Sequence, residues 1–319
     1  MNKFFVTGGS GFLGSSLVKK LVREGNQVKI FDNLIRGNHR KLGDVRNMIE
    51  ICDGDIRDEK KLLKESKGYD VFLHLAAING TKFFYSRPQE VLDVAVRGIL
   101  NAIEVSKKNK IKKFIFSSSS EVYQTPKIIP TKENVELIVP DVFNPRYSYG
   151  GGKIISELIC LNYYKDFFEK MLIFRPHNVF GPDMGYEHVI PELILKANEI
   201  RIKTKKKITL KGNGKQKRAF IYINDFTNAL VKVIKKGKNK NIYNIGNSQE
   251  ISIMNLAKLI LKLMNIKTSI NVSRAPVGET TRRCPENSKI RKLGYKQLHS
   301  LEDGLKETID WYIGNKNYE

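Results

Sequence analysis

Cysteine is scarce in this chain of 319 residues: Cys52, Cys160 and Cys284 are the only three. They are too few and too scattered for a disulfide framework, and no CxxC pair suggests a bound metal. They read as ordinary reduced thiols. Runs of eighteen apolar residues are missing as well, which excludes a membrane-spanning helix. The opening MNKFFVTGG passes straight from a short apolar strand into a glycine-rich turn and lacks a signal-peptide core and cleavage site. A cytoplasmic protein with no membrane partner is expected.

Acidic side chains are also few, 33 against 56 lysines and arginines, so the net charge is +23. A field of that sign attracts polyanions. The lysines, however, fall in short patches at 107–113, 203–207 and 235–240, and no recognised DNA- or RNA-binding pattern accompanies them. The sequence therefore predicts solvated basic faces, a field that also suits a small anionic ligand such as a nucleotide, and no nucleic-acid partner.

What is present is a hydrophobic content of 41%, enough for one large domain or two closely joined ones. Strand-like runs alternate with helical patterns through the first half: KFFVTG, QVKIFD, MIEICDGDI, DVFLHLAA, KKFIFSSSS and KMLIFRP. That alternation predicts an α/β fold with a doubly wound parallel sheet, the Rossmann architecture. After Arg175 the loops lengthen and a basic segment follows at 201–218, predicting a smaller C-terminal α+β substrate domain. The expected division is 1–178 for the sheet domain, with 220–247 returning to it, and 179–319 mainly for the smaller one.

The turn TGGSGFLG places Gly8, Gly11 and Gly14 between a strand and a helix. Glycines let such a turn close and let backbone amides approach a pyrophosphate at the helix N-terminus. The second strand ends in Asp32, eighteen residues past Gly14, where an acid accepts from ribose hydroxyls and repels a 2′-phosphate. NAD is thus expected over NADP, although Arg36 lies close enough to hold such a phosphate.

Ligands of open α/β sheets bind beyond the carboxyl ends of the strands, and SSSSEVY places four serines there. Tyr149 and Lys153 are four apart, hence neighbours on one helix face. An adjacent ammonium and a positively charged nicotinamide would both favour phenolate, making Tyr149 a candidate general base. Between them stand Gly150, Gly151 and Gly152, each costing about 1 kcal/mol relative to alanine in a helix interior. Their presence predicts close backbone approach to cofactor, substrate or the Ser119 strand.

Taken together, TGGSGFLG, Asp32, GDIRD, HLAA, SSSSEVY, Tyr149-xxx-Lys153, FRPHNVFGP, GNGKQKRAFIYINDF, YNIGN and RRCPENSKIRKLGY make the chain resemble an extended short-chain dehydrogenase/reductase of the nucleotide-sugar epimerase and dehydratase type. The resemblance spans almost the whole chain. It implies NAD held by Gly8, Gly11, Phe12, Leu13, Gly14, Asp32, Asn33, Asp55, Ile56, Leu75, Ala76, Ala77, Tyr149 and Lys153. It implies a nucleotide-diphosphate sugar between the domains, near Asn79, Gly80, Ser120, Asn178, Arg218 and Arg283, and often a homodimer or homotetramer built on a four-helix contact. Ser119, Tyr149 and Lys153 match the catalytic hydroxyl, base and lysine: Tyr149 takes the proton of the sugar 4-hydroxyl and a 4-ketosugar results.

Glu121 bears on the fate of that ketone. It matches the glutamate of relatives that dehydrate or decarboxylate their keto intermediates and could act at C5, whereas 4-epimerases usually carry a small or neutral residue there. Ser120 stands where thymidine-nucleotide dehydratases keep an aspartic acid. Ala95 and Gly152 replace an asparagine and a small hydroxyl residue common in the family. The segments 78–88 and 139–153 resemble a branch from bacterial surface-polysaccharide clusters whose members act on GDP-heptose, and in that branch a 2-oxoacid can serve as co-substrate. A 4-dehydrogenase or 4-epimerase is the expectation, with a 4,6-dehydratase or glucuronate decarboxylase using Glu121 as the alternative and a non-catalytic dinucleotide-binding protein as a remote one.

Overall fold

The computed structural model describes residues 1–164, 166–273 and 280–315. Its centre is a parallel sheet of β1 (Lys3–Thr7), β2 (Gln27–Asp32), β3 (Glu50–Asp53), β4 (Val71–His74), β5 (Lys113–Ser117) and β6 (Lys170–Pro176), joined later by Asn241–Ile245. Across the sheet the order is Asn241–Ile245, β6, β5, β4, β1, β2, β3. The order reverses between β1 and β4, so the crevice at their carboxyl ends is where a ligand belongs.

Successive side chains of these strands serve opposite faces. In β1, Phe4 and Val6 enter one core while Phe5 enters the other, and β6 divides Leu172 and Phe174 from Met171 and Ile173 in the same way. Both faces are covered, which is why these strands read as continuous apolar runs. α1 (Phe12–Arg23) lies on the first face beside Ile223–Lys236. The other face is covered by α2 (Glu59–Glu65), α3 (Thr81–Ser86), α4 (Pro88–Lys108) and α5 (Ser148–Asn162).

The smaller lobe contains β7 (Val179–Phe180), α6 (Val189–Arg201), β8 (Ile208–Leu210), β9 (Lys217–Ala219) and β10 (Ile221–Tyr222). The chain then returns to the large sheet through α7 (Ile223–Lys236) and β11 (Asn241–Ile245), the strand paired with β6. After it come β12 (Glu250–Ser252), α8 (Ile253–Leu263), β13 (Ile270–Val272) and β14 (Arg282–Arg283). In this lobe β7 pairs β10, β8 pairs β13, and β9 lies between β12 and β14. No helix among the described residues is long and apolar enough to cross a membrane.

Candidate active site

The turn after β1 is shaped by two glycines that nothing larger could replace. Gly8 has φ +73°, and a Cβ there would lie 2.6 Å from the Ala76 amide nitrogen; a Cβ on Gly14 would lie 2.2 Å from the Gly8 carbonyl oxygen. The turn is thereby pressed against the end of β4 and the first turn of α1. Among the described residues no side chain caps α1, so its first amides face the crevice as donors for an anion.

Asp32 is buried at the end of β2. Its two carboxylate oxygens accept from the Ser10 and Leu34 amides, each at 2.9 Å. Burial pushes the carboxyl up and those two hydrogen bonds counter it. Each oxygen keeps a lone pair for a hydroxyl. The crevice above is a cavity of about 700 Å³, within the roughly 300–1,000 Å³ of ligand sites. A dinucleotide fits this donor set: amides at one point, a ribose-binding carboxylate beyond. Asn33, Ile56, Leu75, Ala76 and Ala77 line the same cavity.

Asp55 does not line it. Its carboxylate is taken by Arg57 at 2.7 and 2.9 Å and by Asn33 at 3.0 Å, and the Arg57 guanidinium holds it down to about 2. Arg36 lies 4.8 Å above the Phe83 ring and pairs with Glu187 at 3.3 Å. That engagement, together with Asp32, fits NAD better than a 2′-phosphate.

The serine run ends β5 and turns directly into Ser120–Tyr123, where Ser119 Oγ accepts from the Glu121 amide at 3.1 Å. Tyr149 stands in the first turn of α5, stacked on Phe84 with centroids 5.1 Å apart, and shares the cavity wall with Ser119. One turn on, Lys153 is buried; its Nζ donates to the Ser117 carbonyl at 2.8 Å and lies 5.7 Å from the Tyr149 ring. The sequence predicts a phenol pulled down by its lysine. In the protein alone, burial raises Tyr149 above its ordinary value, with only the Ser119 side chain opposing it, and lowers Lys153 to about 8. The lysine thus ties β5 to α5, and phenolate formation needs a further positive charge in the cavity.

Glu121 is half-buried and pairs with an arginine, not a lysine. It accepts from Arg283 at 2.6 Å, and both line the cavity with Asn79, Gly80, Ser120 and Asn178. Although burial opposes it, Arg283, Arg146 and Arg218 together hold the Glu121 carboxyl below its ordinary value. Arg283 Nε is buried with no partner among the described residues. Arg218 is not on the cavity wall: it donates to the Lys217 and Thr280 carbonyls at 2.9 and 2.7 Å.

The glycines divide. A Cβ on Gly150 would lie 2.3 Å from Gln124 Nε2 and 3.0 Å from the Glu121 carbonyl oxygen, and one on Gly152 would lie 2.8 Å from Ala95 Cβ. Gly151 meets only Val139 at 3.5 Å, so the expected approach to the serine turn is seen at Gly150, while Gly152 packs on α4 instead. The two departures at Ala95 and Gly152 are one contact between α4 and α5.

Sequence reasoning missed Tyr186, Glu187 and His188, which close the cavity from the smaller lobe. No motif marks that loop. It also missed the buried pair behind the site: Arg175 donates to Glu157 at 2.5 and 2.8 Å, to the Tyr123 hydroxyl at 2.6 Å and to the Glu133 carbonyl at 2.9 Å, while Ser118 donates to Glu157.

Residues 4–246 match the model of the NAD dependent epimerase/dehydratase family. A UDP-N-acetyl-alpha-D-glucosaminuronate decarboxylase of Bacillus cytotoxicus is 32% identical over 96% of this chain and 96% of its own. Among solved structures, a UDP-N-acetylglucosamine 4-epimerase from Methanobrevibacter ruminantium is 27% identical with a TM-score of 0.87, covering 98% of both chains. A dTDP-glucose 4,6-dehydratase from Streptomyces venezuelae with NAD bound is 25% identical with a TM-score of 0.88, again covering 98% of both. Glycine turn, ribose acid, Ser–Tyr–Lys group and whole-length likeness agree: the chain belongs to the NAD-dependent epimerase/dehydratase family of nucleotide-sugar enzymes, and NAD is its cofactor.

Proposed function

We propose that the chain oxidises the C4 hydroxyl of a nucleotide-diphosphate sugar to a 4-ketosugar, which leaves as the ketone or as the C4 epimer. The observation that carries this reading is that Tyr149, Ser119 and Lys153, the last one turn beyond Tyr149 and tied to the Ser117 carbonyl, share the wall of one cavity with Gly8, Gly14 and Asp32. Bound NAD supplies the hydride acceptor and a positive ring. Ser119 holds the sugar hydroxyl toward Tyr149, Tyr149 takes its proton, and Lys153 stabilises the resulting charge arrangement. Asn79, Gly80, Ser120, Asn178 and Arg283 line the remaining space and would contact the sugar and diphosphate. GDP-heptose is one substrate to try, on the resemblance of segments 78–88 and 139–153, with a 2-oxoacid as the outside oxidant. A homodimer through α4 and α5 belongs to the same proposal, since Leu92, Ile155 and Leu158 of these helices are exposed.

One observation favours a second reading, decarboxylation of a uronate. Glu121 is tied to Arg283 and held acidic, which makes it a poor base for a C5 proton, and Ser120 is no acid for a departing 6-hydroxyl. That disfavours dehydration of the thymidine-nucleotide type, which keeps an aspartic acid where Ser120 stands. A 4-keto uronate loses its carboxylate without a C5 base, and Arg283 on the cavity wall brings a positive charge to bear on that carboxylate.

The test is incubation with UDP-, GDP- and dTDP-hexoses, UDP-uronates and GDP-heptose, with and without a 2-oxoacid, read by mass spectrometry and NMR. Oxoacid-dependent loss of two hydrogens identifies a 4-dehydrogenase and a new isomer an epimerase; loss of carbon dioxide supports the second reading. Tyr149→Phe should abolish turnover while NAD binding persists. Full activity of that variant would remove Tyr149 as the base.

A further inference from the structure

The positive charge of this protein is not evenly spread. Residues 196–217 and 253–273 hold twelve lysines and arginines against one acid, Glu199, so these 43 residues carry +11 of the net +23. The fold brings the two segments together. β13 pairs with β8, the Ile208 amide donates to the Ser269 carbonyl, Thr268 donates to the Lys206 carbonyl at 2.8 Å, and the Met254 amide donates to the Gly214 carbonyl at 2.9 Å. Eleven of the twelve cations are exposed; Lys196 is the half-buried one.

Against this face runs an open groove of about 510 Å³, lined by Met254, Leu261, Ile266 and Ile270 and by Lys258, Lys262 and Lys267. Lys258 and Lys262 are one turn apart on α8, and Lys267 follows the helix. None of the three has a carboxylate partner among the described residues, and exposed Ile202 and Val272 stand within the same segments. The groove shares no residue with the cavity of the active site.

We propose that this face is a peripheral docking surface for an anionic lipid bilayer, the lysines meeting headgroup phosphates and the apolar floor meeting the acyl boundary. Three features select this partner. Clustered lysines beside a membrane are each worth about a fivefold gain in partitioning to anionic lipid. Exposed apolar side chains among them match the layered chemistry of an interface. Neither segment contains a phenylalanine, tyrosine or tryptophan, so the face has no ring on which a single-stranded base could stack. The sequence reading expects no membrane partner because no segment spans one; a surface contact needs no span.

The experiment is co-sedimentation of the full-length protein with vesicles of phosphatidylcholine alone and of phosphatidylcholine mixed with phosphatidylglycerol, at low and high salt. Binding is expected only to the mixed vesicles, should weaken steeply with salt, and should fall more than about tenfold in Lys258→Glu/Lys262→Glu/Lys267→Glu. That variant should keep the parent's NAD content and melting temperature, which shows that it folds. No binding to the mixed vesicles overturns the proposal, as do binding equal on both compositions and binding unchanged in the triple variant. Tighter binding to a single-stranded or duplex DNA oligomer than to the mixed vesicles overturns it in favour of nucleic acid.

Discussion

Two carboxylate–guanidinium pairs flank the same serine turn and are built for opposite purposes. Glu157 and Arg175 touch at 2.5 Å with side chains 4% and 2% exposed; Glu121 and Arg283 touch at 2.6 Å with 24% and 8%. In the first, Arg175 is also satisfied by Tyr123 and Glu133, and Glu157 by Ser118. Nothing in it is left to offer a ligand, so it can only hold α5, β6 and the serine turn in place. In the second, the Arg283 Nε is unpartnered among the described residues and the pair opens on the cavity. Distance and chemistry are nearly equal; access separates a brace from a reactive wall.

The largest effect expected is on the brace. Glu157→Ala leaves a guanidinium buried without its counter-charge and should cost about 3–5 kcal/mol of stability, read as a lowered urea midpoint. Replacing both partners by Leu and Met should restore most of that loss. Glu121→Ala, beside a wet cavity, should cost about 1 kcal/mol or less. Equal losses in the two single variants would erase the comparison.

Activity should reverse the ranking. Glu121→Gln keeps shape but removes the charge that engages Arg283, and should change the rate of carbon dioxide loss by about tenfold while C4 oxidation, followed as NADH absorbance, persists. Glu157→Gln should change the two together, because a displaced serine turn spoils Ser119 for every step. A selective effect of Glu157→Gln on the later step alone would assign it more than positioning.

pH provides a smaller contrast. Glu121 has its folded pKa depressed, so the stability it contributes is present above its ordinary value of 4.5 and is lost as pH falls through the folded value. Glu121→Gln should flatten that acid limb. Lys153 is also depressed, to about 8 from 10.5; being a base, it binds a proton less readily folded than unfolded. Its burial cost is therefore relieved as pH rises from about 8 toward 10.5, and stability should gain there relative to Lys153→Met.

Much of this molecule is legible in its sequence for a physical reason. A sheet buried on both faces writes long apolar runs, and a turn that must admit a pyrophosphate writes glycines at Gly8 and Gly14, where a Cβ would strike backbone. Tyr149 and Lys153 are legible as a pair from helix spacing and Ser119 as a hydroxyl near a strand end, but it is the family resemblance that joins them into one set. Glu157 with Arg175 is not, since their meeting depends on the crossing of α5 over β6, eighteen residues apart. Asp55 and Arg218 carried the right chemistry, but neighbouring groups took their polar atoms away from the cavity. Glu187 and His188 belong to a loop whose course no local pattern dictates.

The smallest effect tests how finely the reactive wall is set. Gly151 has room for a methyl group, with Val139 at 3.5 Å, and alanine lowers the cost of helix formation, so Gly151→Ala should raise stability by up to about 1 kcal/mol and leave turnover unchanged. Gly150 has no such room. Its added Cβ would press on Gln124 Nε2, itself bonded to the Glu121 carbonyl at 2.6 Å, and on that carbonyl directly. Gly150→Ala should therefore shift the turn that carries Glu121 and Ser119, lowering kcat more than it lowers the melting temperature. If Gly150→Ala and Gly151→Ala behave alike, the first turn of α5 is looser than these contacts describe, and Glu121 is positioned by Arg283 alone.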